Sequence, residues 1–197
     1  RAKADCARRR GLNACPEALP GTGQYRMVYK VTGQPLVSIV IPSKDHLEVL
    51  RQCIDSIREF TRYPHYEIVV VDNGSSPENR AAIQAYLAGV GAQYVYEKGE
   101  FNFSKMCNTG AAHARGAYLL FLNDDIEIFQ PEWLERMLGQ AQQRHTGAVG
   151  AKLFYPFTTG IQHTGAANRK EGPFHLLMRE NDENSYYFYW NWIERDV

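Results

Sequence analysis

The chain has 197 residues, 44% of them hydrophobic, which is enough for one substantial core with appendages. Its 22 Lys and Arg balance 22 Asp and Glu, which argues against a general nucleic-acid or membrane-surface binder. No apolar run reaches the ~18 residues that span a bilayer and no signal-peptide pattern opens the chain, so the expected location is the cytoplasm, free or peripheral at the inner face of the membrane.

Residues 1–36 are rich in Arg, Gly and Pro without a clear period and read as an arm leading into the fold, its basic cluster (Arg1, Lys3, Arg8, Arg9, Arg10) solvated. Val37-Ser38-Ile39-Val40-Ile41 is a buried strand closed by Pro42 and followed by a loop. Leu47, Leu50, Ile54 and Ile57 then recur on one stripe of a helix from His46 to about Phe60, with Asp45 placed to cap it. Glu67-Ile68-Val69-Val70-Val71 is a second buried strand, ending in the turn chemistry of Asp72-Asn73-Gly74-Ser75. Ser76-Pro77-Glu78 reads as N-cap, N1 proline and acidic first turn of a helix that runs to Gly89.

Ala92–Tyr96 is a third strand, Phe103–Ala114 a third helix rich in small residues, and Ala117–Leu122 a fourth strand. Pro131-Glu132-Trp133-Leu134 opens a fourth helix, Ala148–Phe154 is a fifth strand, and Ile161–Gly165 is a further short one. Strands alternating with helices imply an α/β fold with a mostly parallel central sheet flanked by helices and joined by right-handed crossovers. The expected division is an arm over 1–36, an α/β domain over 37–156, and a region of weaker order over 157–197. The cysteines Cys6, Cys15, Cys53 and Cys107 show no CxxC spacing and suit a reducing setting, a Cys6–Cys15 bridge or metal pair being the minor alternative.

The chemistry lies at the strand tips. Leu119-Leu120-Phe121-Leu122 runs straight into Asn123-Asp124-Asp125, and carboxylates at a strand tip suit Mg²⁺ or Mn²⁺, hard cations that share their shell with substrate phosphates. Pro42-Ser43-Lys44-Asp45, Asp72-Asn73-Gly74-Ser75 and Asn123-Asp124-Asp125 fall on one edge of one sheet, where α/β proteins bind ligands. A nucleotide needs there a group that reads base and ribose, a close backbone and a cation for the diphosphate; Asp72, Gly74 and Asp125 are placed for these. A dinucleotide-binding fold would need a Gly-rich turn after the first strand, and a P-loop a Gly-x-x-x-x-Gly-Lys; neither is present.

Val-Ser-Ile-Val-Ile-Pro42, Val-Val-Val-Asp-Asn-Gly-Ser75, Asn108-Thr-Gly-Ala-Ala-His-Ala-Arg-Gly116 and Phe-Leu-Asn-Asp-Asp125, in that order, resemble a family 2 glycosyltransferase. Val149–Pro156 and Ile161–Gly165 look like the bacterial branch that builds O-antigen, rhamnan and other surface polysaccharides. The resemblance covers about residues 36–197.

It implies the GT-A nucleotide-diphospho-sugar-binding fold, a UDP- or dTDP-linked sugar donor, a glycan acceptor and Mn²⁺ or Mg²⁺. It also implies inverting transfer, in which an acidic base deprotonates the acceptor and the metal stabilises the departing diphosphate. Carried over by position, Pro42 and Ser43 line the base pocket, Asp72 hydrogen-bonds base or ribose, and Asn108 faces the donor from a helix. Asn123-Asp124-Asp125 occupies the family's DXD slot, with Asn123 in place of its first Asp, Asp125 as metal ligand and Asp124 on ribose or sugar. The donor-binding set is thus Pro42, Ser43, Asp45, Asp72, Asn73, Gly74, Asn108, Asn123 and Asp124.

In the family the catalytic base lies in a later, acceptor-side stretch, and the resemblance puts the corresponding position beyond Val197. Glu180, Asp182, Glu183 and Asp196 read as a solvated loop, so no base is assigned among residues 1–197. His163 reads as a polar edge residue, Lys152 as solvated, and the aromatics of 186–192 as packing surface. The alternatives are a donor-binding piece without turnover, a nucleotidyltransferase-like enzyme, and a non-enzymatic interaction domain.

Overall fold

The computed structural model describes residues 2–183. In chain order its elements are α1 (Ala2–Arg9), β1 (Ala14–Ala18), β2 (Tyr25–Tyr29), β3 (Val37–Ser43), α2 (Leu47–Phe60), β4 (Tyr66–Asp72), α3 (Pro77–Val90) and β5 (Gln93–Tyr96). Then follow α4 (Phe103–His113), β6 (Tyr118–Phe121), α5 (Trp133–Ala141), β7 (Leu153–Phe154), β8 (Ile161–His163), β9 (Ala166–Arg169) and β10 (Gly172–His175). They fall into two compact units: Gly33–Glu135, and the residues up to Thr32 together with those from Arg136 on.

The unit Gly33–Glu135 is built on a four-stranded sheet in the order β5-β4-β3-β6, and every neighbouring pair is parallel. The Val/Ile-rich runs explain it: β3 is buried along its whole length and β4 over its last five residues, as strands covered on both faces require. On one face Ile39, Ile41, Ile68 and Val70 pack against Leu50, Ile54 and Ile57 of α2 and Ile83 and Leu87 of α3. On the other, Val40, Val69, Val71 and Val95 pack against Met106 of α4. Each fully buried Ile or Leu contributes about 1.5–3 kcal/mol relative to exposure.

Gly110 is what lets α4 sit this close, since a Cβ there would come within 2.3 Å of the Val40 side chain. The order of winding reverses at β3: β4 and β5 build outward on one side of it, and β6 returns to lie parallel on the other. That reversal is the topological switch point, where open α/β sheets hold their ligands.

Several expectations are corrected. β3 continues through Pro42 to Ser43 instead of closing at Ile41. Proline is tolerated because its missing N–H falls on the β6 side, just past the last bond there, Leu122 N to Val40 O. Asp45 does not cap α2, whose N-cap is His46 with no side-chain cap bond; Asp45 has a left-handed φ of 60° and turns to α3 instead. The fifth strand is only Leu153–Phe154, pairs antiparallel with β8, and is not part of the parallel sheet. Ser76 caps α3 with Pro77 at its start, as the sequence implied.

In the other unit the segment read as an arm carries α1 and the antiparallel hairpin β1–β2, clipped by Arg26–Glu17 at 2.7 Å. β7–β8 and β9–β10 are two further antiparallel pairs. Lys152, expected to be solvated, pairs with Asp182 at 2.7 Å, and the Asp182 side chain is only 19% exposed, so this part of the acidic loop is tied down. His163 is no bare edge residue: its Nδ1 lies 2.7 Å from Nδ1 of His175, and burial and then His175 push it below its usual pKa. All four cysteines are free. Among the described residues no helix is long and apolar enough to cross a membrane. The aromatics of 186–192, Asp196 and Val197 lie outside the described residues.

Candidate functional site

The site sits at the carboxyl edge of β3, β4 and β6. Parallel strands with staggered crossovers bring their tips into register, so that Ser43 pairs with Asp72 and Val40 with Phe121. Ser43, 5% exposed, donates its hydroxyl to Asp124 Oδ2 at 2.7 Å and so joins the tips on either side of the switch point. The Ser43 carbonyl accepts from Asn73 N at 3.0 Å, which joins the β3 tip to the β4 tip.

Beyond β6, Asn123 and Asp125 are exposed and Asp124 is partly buried. The Asp125 carboxylate makes no hydrogen bond or ion pair among the described residues, in contrast to Asp124. Beneath them the Cys53 thiol is pushed up to about 12 by burial and by the charges of Asp124, Asp125 and Glu127. It therefore stays protonated, and its contact with the Asn123 carbonyl at 3.7 Å supports the loop from below.

At the β4 tip Asp72 is 1% exposed and both its oxygens are engaged. Oδ1 accepts from Ser75 N at 2.8 Å and Ser75 Oγ at 2.7 Å, and Oδ2 accepts from Tyr94 Oη at 2.5 Å. Both oxygens of Asp72, expected to bond base or ribose, are thus engaged by Ser75 and Tyr94 in this structure. Gly74 has φ 87°, a conformation that disfavours side chains, and a Cβ there would crowd Lys98 Cγ at 3.2 Å. Asn73 is 4% exposed, so it is its backbone that serves the tip.

Asp45 Oδ1 accepts from Ser76 N at 2.7 Å and Asn79 Nδ2 at 3.0 Å, and these bonds, that from Asn79 foremost, hold its carboxyl below its usual pKa. Asn108 is exposed on α4. The neighbouring glycines and Arg115 of the same motif are structural. Gly116 lies against Ser38, and Arg115 forks onto Glu67 at the opposite end of the sheet. A shallow groove of about 450 Å³ adjoins Gly74, lined by Ser76, Arg80, Gln84, Tyr96 and Lys98, with the Arg80 guanidinium 4.0 Å from the Tyr96 ring centre.

The structure therefore brings Ser43, Asn73 and Asp124 into one bonded group and Asp45 and Asp72 into another, joined through Ser75. The donor-binding set read from sequence left out Ser75, Asn79 and Tyr94. Asp72-x-x-Ser75 is the spacing at which a carboxylate caps the N–H three residues on, and it signals Ser75. Tyr94 carries no such signal, because its approach depends on the register of β5 on β4.

Among the described residues no cluster of three or more His, Cys, Asp or Glu side chains could by itself hold a metal ion. Mg²⁺ and Mn²⁺ at diphosphate sites take one or two carboxylates, the rest of the shell being phosphate oxygens and water, so an unengaged Asp125 fits such an ion.

The sequence matches the model of glycosyl transferase family 2 over residues 38–193. The chain belongs to that family. Its fold is of the GT-A type, and a mannosyltransferase from Pyrobaculum calidifontis, solved in complex with GDP-Man and Mn²⁺, superposes with a TM-score of 0.55 at 21% identity over 60% of this chain and 36% of that one. The family 2 chain is 38% identical over 173 residues to the O-antigen biosynthesis protein RfbC of Myxococcus xanthus, covering 82% of this chain and 13% of that protein. It is 40% identical over 143 residues to the uncharacterised protein y4gI of Sinorhizobium fredii, 72% of this chain and 16% of that one. The chain thus spans less than a fifth of the length of these relatives.

Proposed function

We propose that Gly33–Glu135 is the donor-binding unit of an inverting glycosyltransferase of surface-polysaccharide synthesis, which takes sugar from a UDP- or dTDP-linked donor to a glycan acceptor. The observation that carries this is the Ser43–Asp124 bond across the switch point, with the Asp125 carboxylate left unengaged beside it. In support, a relative is named for O-antigen biosynthesis and a protein of the same fold was solved with a nucleotide sugar and Mn²⁺.

In this reading each tip has one task. Ser43 fixes the Asp124 rotamer, so that the acidic loop is presented in one conformation at little entropic cost on binding. Asn123 and Asp124 face the ribose and sugar, and Asp125 holds the cation. Gly74 gives the ligand close access to the backbone of the β4 tip, and Pro42 and Ser43 form the floor beneath the base. Asn108 approaches from α4. A divalent ion at Asp125, Mn²⁺ or Mg²⁺, supplies the positive charge that offsets the diphosphate as it departs.

Calorimetric titration of UDP and of dTDP in Mn²⁺, on wild type and Asp125→Ala, tests this. The wild type binds one of the two, and the variant or EDTA weakens binding at least about tenfold, the loss of one charge-assisted contact. Equal binding by both proteins contradicts Asp125 as ligand, and absence of binding by the wild type contradicts the donor-binding reading.

A further inference from the structure

Hydrogen bonds run without a break from β5 to α3 behind the donor edge. Tyr94 Oη donates to Asp72 Oδ2 at 2.5 Å. Asp72 Oδ1 accepts from both the N–H and the hydroxyl of Ser75, at 2.8 and 2.7 Å. The same Ser75 oxygen accepts from Asp45 N at 2.8 Å. Asp45 in turn accepts from Ser76 N and Asn79 Nδ2 at the start of α3.

The proton directions are consistent throughout. The single Ser75 proton goes to Asp72, so the lone pair it leaves is what the Asp45 N–H meets. Tyr94 reaches Asp72 because β5 pairs Tyr94 with Val70 and Tyr96 with Asp72, which puts Tyr94 on the same face and one diagonal step away.

We propose that Tyr94 is a positioning residue for the donor pocket. It keeps the Asp72 carboxylate inside the protein, so that Asp72 serves the donor by locking the β3 and β4 tips together and not by touching it. The proposal rests on the donor-binding reading above.

Burial decides between the two roles of Asp72. Asp72 is 1% and Ser75 4% exposed. Turning the carboxylate out to a ligand would strip the acceptor from the Ser75 N–H, the Ser75 hydroxyl and the Tyr94 hydroxyl at once. Leaving buried donors unpaired costs more than one new bond to a base returns. The lock also holds Asp45 at its left-handed φ of 60°, a conformation a non-glycine residue adopts only when its surroundings fix it.

The test is calorimetry of UDP and dTDP with Mn²⁺, well below the melting temperature, on the full chain and on Y94F, S75A and the double variant. Amide exchange at Asp45, Ser75 and Ser76 is followed in parallel. Y94F removes one hydroxyl and is expected to weaken nucleotide binding about tenfold, the worth of one lost bond to a charged group. The double variant falls no further than the worse single one, since both break one chain. Exchange at the three amides quickens while the β4 core amides stay protected.

Unchanged or tighter binding by Y94F, with a freed Asp72 oxygen, overturns the proposal in favour of direct contact. A lowered melting temperature with an unchanged dissociation constant overturns it in favour of a purely structural tyrosine. If the wild type binds neither nucleotide, the donor-binding reading falls and takes the positioning role with it. The exchange data, which need no ligand, then still show whether Tyr94 holds the two tips.

Discussion

The Ser43 hydroxyl meets the Asp124 carboxylate at 2.7 Å across the point where the winding of the sheet reverses. One rotamer of a partly buried acid is thereby set by a residue on the neighbouring strand, before any ligand arrives. Ser43→Ala removes the bond and leaves the backbone contact with Asn73 intact. Nucleotide affinity in Mn²⁺ is expected to fall about threefold to tenfold, with stability lowered by about 1 kcal/mol. Titration calorimetry and urea unfolding on the same samples check both.

Gly110→Ala addresses the fold. The new methyl would sit 2.3 Å from Val40 Cγ1 and 3.1 Å from Val71 Cγ2, so α4 has to move off the sheet. The expected loss is about 1–3 kcal/mol in urea unfolding, because packed cores resist an added carbon. Asn108 rides on the same helix, and nucleotide affinity should weaken with it.

Glu67 gives a pH dependence with a definite sign. Burial raises its carboxyl pKa, but the Ser38 hydroxyl and the N–H and guanidinium of Arg115 outweigh that and leave it below its ordinary value of 4.5. A folded-state value below the unfolded one adds stability that is fully present above about 4.5. That stability is lost as pH falls through the folded value. Glu67→Gln should cost about 1–2 kcal/mol at neutral pH and flatten the acid limb of stability against pH, as chemical denaturation over an acid series would show.

The cysteines separate by burial. Cys15 is exposed, whereas Cys53 is buried with its thiol pushed up to about 12. The thiolate is the reactive form, so iodoacetamide in native buffer should label Cys15 readily. Cys53 should react only on unfolding, with mass spectrometry of the peptides as readout.

β3 and β4 were legible because their Val/Ile-rich runs end in turn residues, and α2 because it carries one apolar stripe. Of the stripe read over Leu47, Leu50, Ile54 and Ile57, the last three are 0% exposed and Leu47 is partly buried. What escaped has local causes. Val149 is the one strand former in Ala148–Lys152 and stands between Ala148 and Gly150, and pairing begins only at Leu153. The hairpin near the start hides Pro16 in its first strand, a residue that argues against a ladder unless, as here, the pair is a two-stranded one with free edges.

At the site, Asp45 looked like a cap for the helix that follows it. It serves the next helix, because a left-handed backbone at that position aims its carboxylate at Ser76 and Asn79. A short polar side chain can go to either of two nearby helix starts, and sequence spacing weighs only the near one. The strand-tip residues stood out in the sequence because their chemistry is explicit in the residue types; the inward turn of Asp72 did not, because it depends on a tyrosine more than twenty positions later.

A divalent ion proposed at the tip of β6 beside the donor diphosphate is detectable through paramagnetic broadening of amide signals by trace Mn²⁺ in the presence of UDP or dTDP. Asn123, Asp124 and Asp125 should broaden first, with Ser43 close behind, and Asp125→Ala should abolish the effect. Broadening centred elsewhere, for example on His163 and His175, or none at any amide with nucleotide present, would contradict that placement.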